Sequence, residues 1–294
     1  MKQSLTFYMT LWVIKFKGIK KKFSQDPIDF IAIRKEDVFQ PKGLFFKKHI
    51  TQQFQIAKTL ITEVSCKGNP KKLLLFIHGG AFISGPAQHH WDTIKTIAKK
   101  TDYTIWMCNY PKAPEHKIEE ISKNIDAVYS KALEQFTSDN VILIGDSVGG
   151  TLAISLIQRL IVEKKPLPLK TILISPVMDA SMSNIEIDTL DIIDPMLSKT
   201  GILSAKKMCA GSISLQNEII SPLYGSFEEF PETILFLSEN DIMYPDQKLA
   251  VEKFIQAGVH PKVILGENMP HIWPLLPVMK EAKIALHQLI KLLV

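Results

Sequence analysis

A glycine-rich turn holds the first side chain in this sequence that could do covalent chemistry. The pentapeptide Gly145-Asp146-Ser147-Val148-Gly149 follows the β-favouring apolar residues Val141 to Ile144 and precedes an apolar, helix-forming stretch from Thr151 to Val162. A G-x-S-x-G pattern between a strand and a helix is typical of a nucleophile elbow, in which a serine is held on a sharp, strained turn. Glycines there leave room for the crossing helix, and the helix N-terminus favours a nearby anion. The alternative is a plain strand–helix turn that contains a serine.

A second glycine pair follows the predicted strand Leu73 to Ile77, in the sequence His78-Gly79-Gly80-Ala81-Phe82-Ile83-Ser84-Gly85. Such a pair leaves the backbone free to turn its N–H groups toward the space above Ser147. With the N–H of Val148, they would bind the oxygen of a tetrahedral intermediate. We interpret His78 as a residue that holds this loop by hydrogen bonds rather than as a catalytic base.

A serine nucleophile also needs a base and an acid that orients the base. Two polar loops follow the last two predicted strands: Ser238–Asp246 after Thr233–Leu237, and Gly266–His271 after Lys262–Leu265. In a sheet that carries a nucleophile elbow, the serine, the acid and the histidine follow one another along the chain in the order Ser, Asp, His. We therefore expect His271 to accept the proton of Ser147 and Asp241 to fix the imidazole tautomer. Glu239 and Asp246 compete for the role of the acid.

The elements that must position these residues alternate between short apolar strands and helical patterns. The remaining predicted elements are strands at Tyr103–Cys108 and Thr171–Ile174, and helices at His90–Lys100, Ile118–Phe136, Gln247–Ala257 and Val278–Leu293. This alternation predicts an α/β fold with a mostly parallel, doubly wound sheet. The long connection between the strands at Thr171 and Thr233 predicts an insertion at about 180–225, with helices at Ile185–Leu190 and Ser198–Ala210.

The first 50 residues are mixed apolar and basic, and they predict two short helices rather than sheet. Phe54 to Ser65 predicts one or two early strands, and Lys67-Gly68-Asn69-Pro70 predicts a turn. We expect an N-terminal helical cap segment at 1–50 and a catalytic domain at 51–294 that carries the insertion.

Composition narrows the class of protein. A hydrophobic content of 46% and a charged content of 22% are ordinary for a globular protein. A net charge of +5 over 294 residues does not indicate nucleic-acid binding, and the sequence lacks an apolar stretch long enough for a transmembrane helix. Three widely spaced cysteines without a C-x-x-C pattern predict a cytoplasmic protein with reduced thiols.

The N-terminal apolar stretch from Leu5 to Phe16 has the length of a signal peptide but is followed by lysines rather than by a cleavage site. Its apolar residues recur at helical spacing: Leu5, Tyr8, Met9, Trp12 and Phe16. This spacing predicts an amphipathic helix. We favour packing of its apolar face on the protein, with weak contact to an anionic membrane surface as the alternative.

With these motifs in place, the chain resembles the hormone-sensitive-lipase-like branch of the α/β-hydrolases, the bacterial carboxylesterases, from about residue 50 to its end. The residues that carry the resemblance are His78-Gly79-Gly80-Ala81-Phe82, Tyr110-Pro111-Lys112-Ala113-Pro114-Glu115-His116, Gly145-Asp146-Ser147-Val148-Gly149-Gly150, Ser175-Pro176, Asp241 and His271. The resemblance implies an eight-stranded α/β-hydrolase sheet with a helical cap. It implies a catalytic triad of Ser147, Asp241 and His271, with oxyanion-hole donors at Gly80, Ala81 and Val148.

Two departures from the family pattern bear on the substrate. The family usually has glycine where this chain has Ala81 and commonly alanine where it has Val148. The backbone N–H groups remain at both positions, but the added side chains would narrow the acyl pocket. We therefore expect a preference for small esters with short acyl groups. The Tyr110 to His116 stretch offers no catalytic group at a plausible place and is interpreted as a structural loop.

The leading hypothesis is an esterase that works through an acyl-serine, without a metal or a cofactor. An amidase, an arylformamidase-like hydrolase or a peptidase would use the same triad, so the sequence barely separates these activities. A ligand-binding protein on an inactive hydrolase scaffold is the alternative from another class, and the presence of His271 argues against it.

Overall fold

The computed structural model describes residues 3–66 and 71–293, so the turn predicted at Lys67–Pro70 lies outside the described residues. Eight strands form one sheet in the spatial order β1-β2-β4-β3-β5-β6-β7-β8. The strands are β1 Ile50–Ile56, β2 Thr59–Val64, β3 Leu73–Ile77, β4 Thr104–Asn109, β5 Val141–Asp146, β6 Lys170–Ile174, β7 Glu232–Asn240 and β8 Lys262–Pro270. Strand β2 pairs antiparallel with both β1 and β4, and the pairs from β4 across to β8 are parallel.

Helices cover both faces of this sheet and extend before and between its strands. They are α1 Leu5–Phe16, α2 Ile19–Lys22, α3 Phe30–Arg34, α4 Leu44–His49, α5 Gln88–Lys100, α6 Ile118–Leu133, α7 Val148–Val162, α8 Glu186–Ile193, α9 Lys199–Ala210, α10 Tyr244–Gln256 and α11 Lys280–Leu293. The α/β fold with a mostly parallel sheet, predicted from alternating elements, is confirmed. Because parallel strands emerge at the same edge, the loops after β3, β5, β7 and β8 can meet there.

Central strand β3 shows why the sheet has two cores. All five of its side chains are buried. Leu73, Leu75 and Ile77 belong to one apolar cluster, which packs on α6, α7 and α10. Leu74 and Phe76 belong to the other cluster, which packs on α5 and α11. The two-residue period of a strand sends alternate side chains to opposite faces, so a continuous apolar stretch is needed where both faces are covered.

The N-terminal segment differs from its prediction in two respects. It forms four helices, α1 to α4, rather than two, because α2, α3 and α4 have only 4, 5 and 6 residues and are too short to show a clear period in the sequence. The predicted packing of the apolar face of α1 is also wrong. Phe7 and Ile14 are the buried residues of this helix, whereas Leu5, Trp12 and Phe16 are 75%, 65% and 79% exposed.

The insertion between β6 and β7 carries α8 and α9, close to the two helices predicted there. The N-terminal segment contacts it directly. The Lys20 ammonium of α2 donates to the carbonyl oxygens of Asp191 and Asp194, and the Ile28 N–H donates to the Ser204 hydroxyl at 3.1 Å. These two parts of the chain, distant in sequence, therefore lie side by side.

Candidate active site

Ser147 lies on the turn between β5 and α7 with a left-handed backbone, at φ 51° and ψ −123°. This conformation is strained for a residue with a Cβ and is retained only where neighbouring contacts fix it. Its N–H donates to the Ile174 carbonyl at 2.9 Å, and its own carbonyl accepts from the Val177 N–H at 3.2 Å. The end of β6 thus fixes the turn on both sides of the serine.

The glycines on either side of Ser147 are required by close backbone contacts. A Cβ on Gly145 would lie 2.5 Å from the Gly149 carbonyl oxygen, and one on Gly149 would lie 2.0 Å from the Ile77 carbonyl oxygen. Neither distance is compatible with a side chain. Helix α7 therefore begins directly against β3 and β5, as the pentapeptide predicts for a sharp strand–helix turn.

The loops after β7 and β8 bring Asp241 and His271 into direct contact. The Asp241 Oδ2 atom lies 2.7 Å from Nδ1 of His271, and Asp241 Oδ1 accepts from the Met243 N–H at 2.9 Å. Both side chains are buried. Because Nδ1 of His271 is hydrogen-bonded to the Asp241 carboxylate, Nε2 is the ring nitrogen left to exchange a proton with another group.

The pKa of His271 is raised above its ordinary value. Burial lowers it, but the Asp241 carboxylate raises it by charge and by its hydrogen bond, and Asp194 and Asp146 add to this.

Ser147 and His271 line the same cavity. Among residues 3–66 and 71–293, no hydrogen bond joins the Ser147 hydroxyl to another group. Such contacts commonly tighten only when substrate binds.

The other two acids considered for this role are engaged elsewhere. Glu239 accepts from the Asn268 N–H at 2.8 Å, and Asp246 accepts from the Asn184 amide at 3.1 Å. Burial raises the pKa of Asp246 to about 6, with a further contribution from Asp179. The structure thus places Asp241, and neither of these carboxylates, on the imidazole.

The loop after β3 turns its backbone through three successive positive φ angles, 123° at Gly80, 54° at Ala81 and 65° at Phe82. A Cβ on Gly80 would lie 2.2 Å from the Ser84 carbonyl oxygen, which explains the glycine. Gly80 and Ala81 line the cavity beside Ser147. Within the described part of the chain, the N–H groups of Gly80, Ala81 and Val148 have no hydrogen-bond acceptor. They are available to an oxygen of a bound molecule.

A second histidine–aspartate pair supports this loop from below. Asp146 is buried, accepts from the Gly79 N–H at 3.0 Å and lies 3.3 Å from Nε2 of His90. The Ala87 N–H donates to Nδ1 of His90, which leaves Nε2 as the protonated nitrogen that donates to Asp146. This pair joins the nucleophile turn to α5 and to the loop after β3.

His78 and Tyr110 form a stacked support under the same loop. Their ring centroids are 4.5 Å apart, and the Tyr110 hydroxyl donates to the His78 carbonyl at 2.8 Å. Nδ1 of His78 lies 2.6 Å from the Gly79 carbonyl oxygen. Burial lowers the pKa of His78 well below its ordinary range, with smaller effects from Lys112 and His90. His78 is therefore a neutral, buried residue that contacts the loop.

Two residues that fix the site have roles that the sequence did not predict. The Ser175 hydroxyl accepts from the Ile272 N–H at 3.0 Å and lies 3.0 Å from the Ser238 hydroxyl, which anchors the residue after His271. Ser175-Pro176 is part of a recognisable motif, but its partner lies 97 residues away and is invisible to local pattern.

Asp194 is the second such residue. Its Oδ2 accepts from the Ile242 N–H at 2.9 Å, and its Oδ1 accepts from the N–H groups of Met196 and Leu197 at 2.7 and 2.9 Å. Burial and the neighbouring Asp241 carboxylate raise the pKa of Asp194 to about 7. The only local sequence signal for this role of Asp194 is its position before Pro195 in an apolar part of the insertion.

Ser147 opens into a cavity of about 420 Å³, within the range of small-molecule sites. Much of its lining is apolar and comes from the N-terminal segment and the insertion, including Ile14, Phe23, Met196 and Ile202. Val148 does not line it. Its side chain is buried in the apolar cluster that includes residues of α6 and α7, so the sequence argument that Val148 narrows an acyl pocket is wrong.

One cluster in this region has the ligand types that bind transition metals. One ligand atom from each of His89, His90 and Asp146 lies within 4.8 Å of the others. Nδ1 of His90 and both oxygens of Asp146 already have hydrogen-bond partners in the turn. We therefore interpret the cluster as support for the nucleophile turn, and the expectation of a site without metal or cofactor stays a prediction.

Together, the sheet and this arrangement define an α/β protein with a partly buried serine on its central strand–helix turn, at the edge of a cavity. A family model described as the α/β-hydrolase fold matches residues 74–275. The chain belongs to this α/β-hydrolase family.

Its relatives carry esterase names. An esterase of Acinetobacter venetianus is 29% identical over 208 residues, which is 69% of each chain. A protein from Staphylococcus aureus that was assigned as an esterase is 29% identical in sequence. Its crystal structure matches with a TM-score of 0.82 over 89% of this chain and 88% of that one. An esterase from the bacterial hormone-sensitive lipase family shares the fold, with 21% identity and a TM-score of 0.88 over 100% of this chain and 98% of that one.

Proposed function

We propose that this protein is a carboxylic ester hydrolase that works as a serine carboxylesterase, through an acyl-serine intermediate. The observation that carries the proposal is that two of the three groups line one cavity and the third contacts one of them. Ser147 and His271 both line the cavity. Asp241 is hydrogen-bonded to Nδ1 of His271, and this leaves Nε2 as the reactive ring nitrogen. The esterase names of the relatives support the same reaction class.

In the proposed reaction, Ser147 Oγ attacks the ester carbonyl carbon while Nε2 of His271 accepts the hydroxyl proton. The carbonyl oxygen becomes an oxyanion, which the N–H groups of Gly80, Ala81 and Val148 bind. The intermediate collapses, and the alkoxide leaves with the proton from His271. Water then attacks the acyl-serine with His271 as base, and the acid and Ser147 are released.

Asp241 acts in this scheme through His271. The imidazolium that forms after proton transfer is stabilised by the adjacent carboxylate, for the same reason that the pKa of His271 is raised in the free protein. The hydrogen bond at Nδ1 also fixes the tautomer that leaves Nε2 free to accept a proton.

We further propose that the N-terminal segment 1–50 and the insertion at about 180–225 form a cap over the cavity and select the substrate. Residues of both segments line it. The proposed preference for short acyl groups now depends on Ala81 alone, which lines the cavity. Faster hydrolysis of long-chain p-nitrophenyl esters than of the acetate or butyrate would contradict that preference.

The catalytic proposal is tested with Ser147→Ala and the matched exposed-serine variant Ser214→Ala. We expect the hydrolysis rate of p-nitrophenyl acetate to fall by about 10³-fold or more in the first variant and to stay unchanged in the second. A fluorophosphonate probe should label wild type at the peptide that contains Ser147, as mapped by mass spectrometry. Equal rates in Ser147→Ala and wild type would contradict the assignment.

An amidase or peptidase remains the second candidate because it would use the same three residues. Comparison of p-nitrophenyl acetate with the matching p-nitroanilide separates the two activities. An esterase should hydrolyse the ester far faster, whereas comparable rates would favour the amide-cleaving alternative.

A further inference from the structure

Helix α1 presents an apolar stripe to solvent at the opening of the cavity. Leu5, Met9, Trp12 and Phe16 recur at spacings of three and four residues and therefore share one face. All four side chains are exposed. The Trp12 and Phe16 rings stack with their centroids 5.4 Å apart, which makes a continuous aromatic surface. Phe7 and Ile14, on the opposite face, are buried against the protein.

The exposure of this stripe does not come from a loosely attached helix. The Ser4 N–H and hydroxyl donate to the Glu281 carboxylate at 2.7 and 2.8 Å, and the Lys280 N–H donates to the Thr6 hydroxyl at 2.9 Å. The start of α1 is thus fixed on the start of α11. This attachment holds the apolar stripe outward.

The charged side chains of residues 1–25 are all basic. Six lysines and no acidic residue precede Asp26: Lys2, Lys15, Lys17, Lys20, Lys21 and Lys22. Lys20 and Lys22 contact carbonyl and carboxylate oxygens of the protein. Lys15, Lys17 and Lys21 are exposed, and no ion pair involves them within residues 3–66 and 71–293. An exposed apolar face with unneutralised lysines beside it matches an interface with anionic lipid headgroups.

The same helix borders the cavity that contains Ser147. Met9 and Val13 of α1, Lys17 directly after it and Val278 before α11 line the cavity and are exposed, so they form its open rim. A surface that binds α1 therefore lies at the cavity opening.

From these observations we propose that α1 binds the surface of anionic membranes with its apolar stripe at the headgroup boundary, and that this binding places the cavity opening against the lipid. The occupant is a lipid surface rather than a protein because the basic charge is concentrated beside the stripe and residues 1–25 contain no acidic residue to balance it. The binding itself does not depend on the proposed reaction.

The test measures flotation of the full-length protein with vesicles of phosphatidylglycerol and phosphatidylcholine in equal amounts, and with vesicles of phosphatidylcholine alone. We expect binding to the anionic vesicles at low salt and its loss at 0.5 M salt, where the Debye length is only about 4 Å. Trp12 provides a direct signal, because Trp91, Trp106 and Trp273 are buried. Its emission should shift to shorter wavelength when the anionic vesicles bind.

Two pairs of matched variants separate the apolar and charged contributions. Trp12→Ser/Phe16→Ser should weaken binding by at least about tenfold. Val162→Ser/Ile255→Ser, which changes two exposed apolar residues elsewhere, should not. Lys15→Gln/Lys21→Gln should weaken it by about 25-fold, at about fivefold per lysine, whereas Lys164→Gln/Lys253→Gln should have little effect. None of these eight residues lines the cavity, so p-nitrophenyl acetate hydrolysis should be unchanged in each variant.

The vesicle measurements are repeated with Ser147→Ala, so that a failure of the reaction proposal leaves this test intact. Equal binding to neutral and anionic vesicles, or binding that the stripe variant does not weaken, would overturn the proposal. So would sedimentation showing a dimer of wild type that Trp12→Ser/Phe16→Ser dissociates, together with absence of vesicle binding. That outcome would assign the stripe to a second copy of the chain.

Discussion

Two buried histidine–aspartate pairs lie on either side of Ser147, and they differ in which ring nitrogen they leave available. His271 uses Nδ1 to contact Asp241, so its Nε2 is left for the cavity. His90 uses Nε2 to contact Asp146, and its Nδ1 accepts from the Ala87 backbone. The first pair has a free nitrogen and can move a proton. The second has none and can only hold the turn in place. Residue types alone therefore do not define a catalytic pair.

The largest expected difference between the pairs is in rate. The same substitution at both positions, His271→Phe and His90→Phe, should lower kcat for p-nitrophenyl acetate by about 10³-fold or more in the first and by less than about tenfold in the second. The reason is that, in the proposed reaction, only His271 exchanges a proton with Ser147. Measurement at a temperature where both variants are folded, checked by circular dichroism, controls for unfolding. Equal losses of kcat would remove the distinction between the pairs.

In stability, by contrast, the two pairs should be similar. His90→Phe leaves the buried Oδ2 of Asp146 without its hydrogen-bond partner and should lower the free energy of unfolding by about 2–3 kcal/mol. His271→Phe leaves Asp241 Oδ2 in the same state and should cost a similar amount. Urea denaturation at pH 7.5 measures both values. A loss below about 0.5 kcal/mol for His90→Phe would mean that the Gly79 N–H alone satisfies Asp146.

The pairs should also differ in pH dependence. The pKa of His271 is raised, and only the neutral imidazole can accept the proton of Ser147. Activity should therefore fall with decreasing pH at a pKa above the ordinary value of about 6.5. Asp241→Asn should move this acid limb of kcat/KM to lower pH, whereas Asp146→Asn should move it little. A wild-type acid limb below about pH 6 would contradict this reasoning.

The smallest expected effect concerns Asp194. This carboxyl lies beside Asp241, whereas the contacts described above place no second carboxyl beside Asp146. In the folded chain its pKa is about 7, whereas an unfolded aspartate has a pKa of about 3.9. The free energy of unfolding therefore contains the full contribution of Asp194 below the unfolded-state pKa of about 3.9. This contribution is lost as the pH rises through the folded-state pKa of about 7. Asp194→Asn cannot ionise, so its free energy of unfolding should fall less than that of wild type between pH 4 and pH 8, by on the order of 1 kcal/mol or more. Identical pH slopes in urea denaturation would contradict the coupling to Asp241.

The sequence predicted the α/β fold because strands buried on both faces and amphipathic helices leave periodic signals. It also singled out Ser147, Asp241 and His271, each of which follows a predicted strand or lies in a loop at its end. It did not predict the support by Ser175 and Asp194, because each acts on a backbone N–H far away in the chain. Helix propensity could not show which face of α1 is buried, because this helix is apolar on both sides.

Asp146 and His90 show the same limit in another form. The sequence marked Asp146 as part of a turn motif and placed His90 at the start of a helix, without connecting them. Their contact joins residues 56 positions apart and depends on how α5 lies against β5. Local pattern therefore identifies which residues surround a nucleophile, but tertiary packing determines which of them share a proton or a hydrogen bond.

Two backbone hydrogen bonds link Ser147 to residues at the end of β6, and they have a consequence for protein engineering. A pentapeptide copied from residues 145–149 into another strand–helix junction would carry the serine and its glycines but not the carbonyl of Ile174 or the N–H of Val177. Without that neighbouring strand the backbone would relax out of its left-handed geometry, and the hydroxyl would no longer be aimed. The transplantable unit is therefore a pair of adjacent strand ends, even though only one of them leads into Ser147.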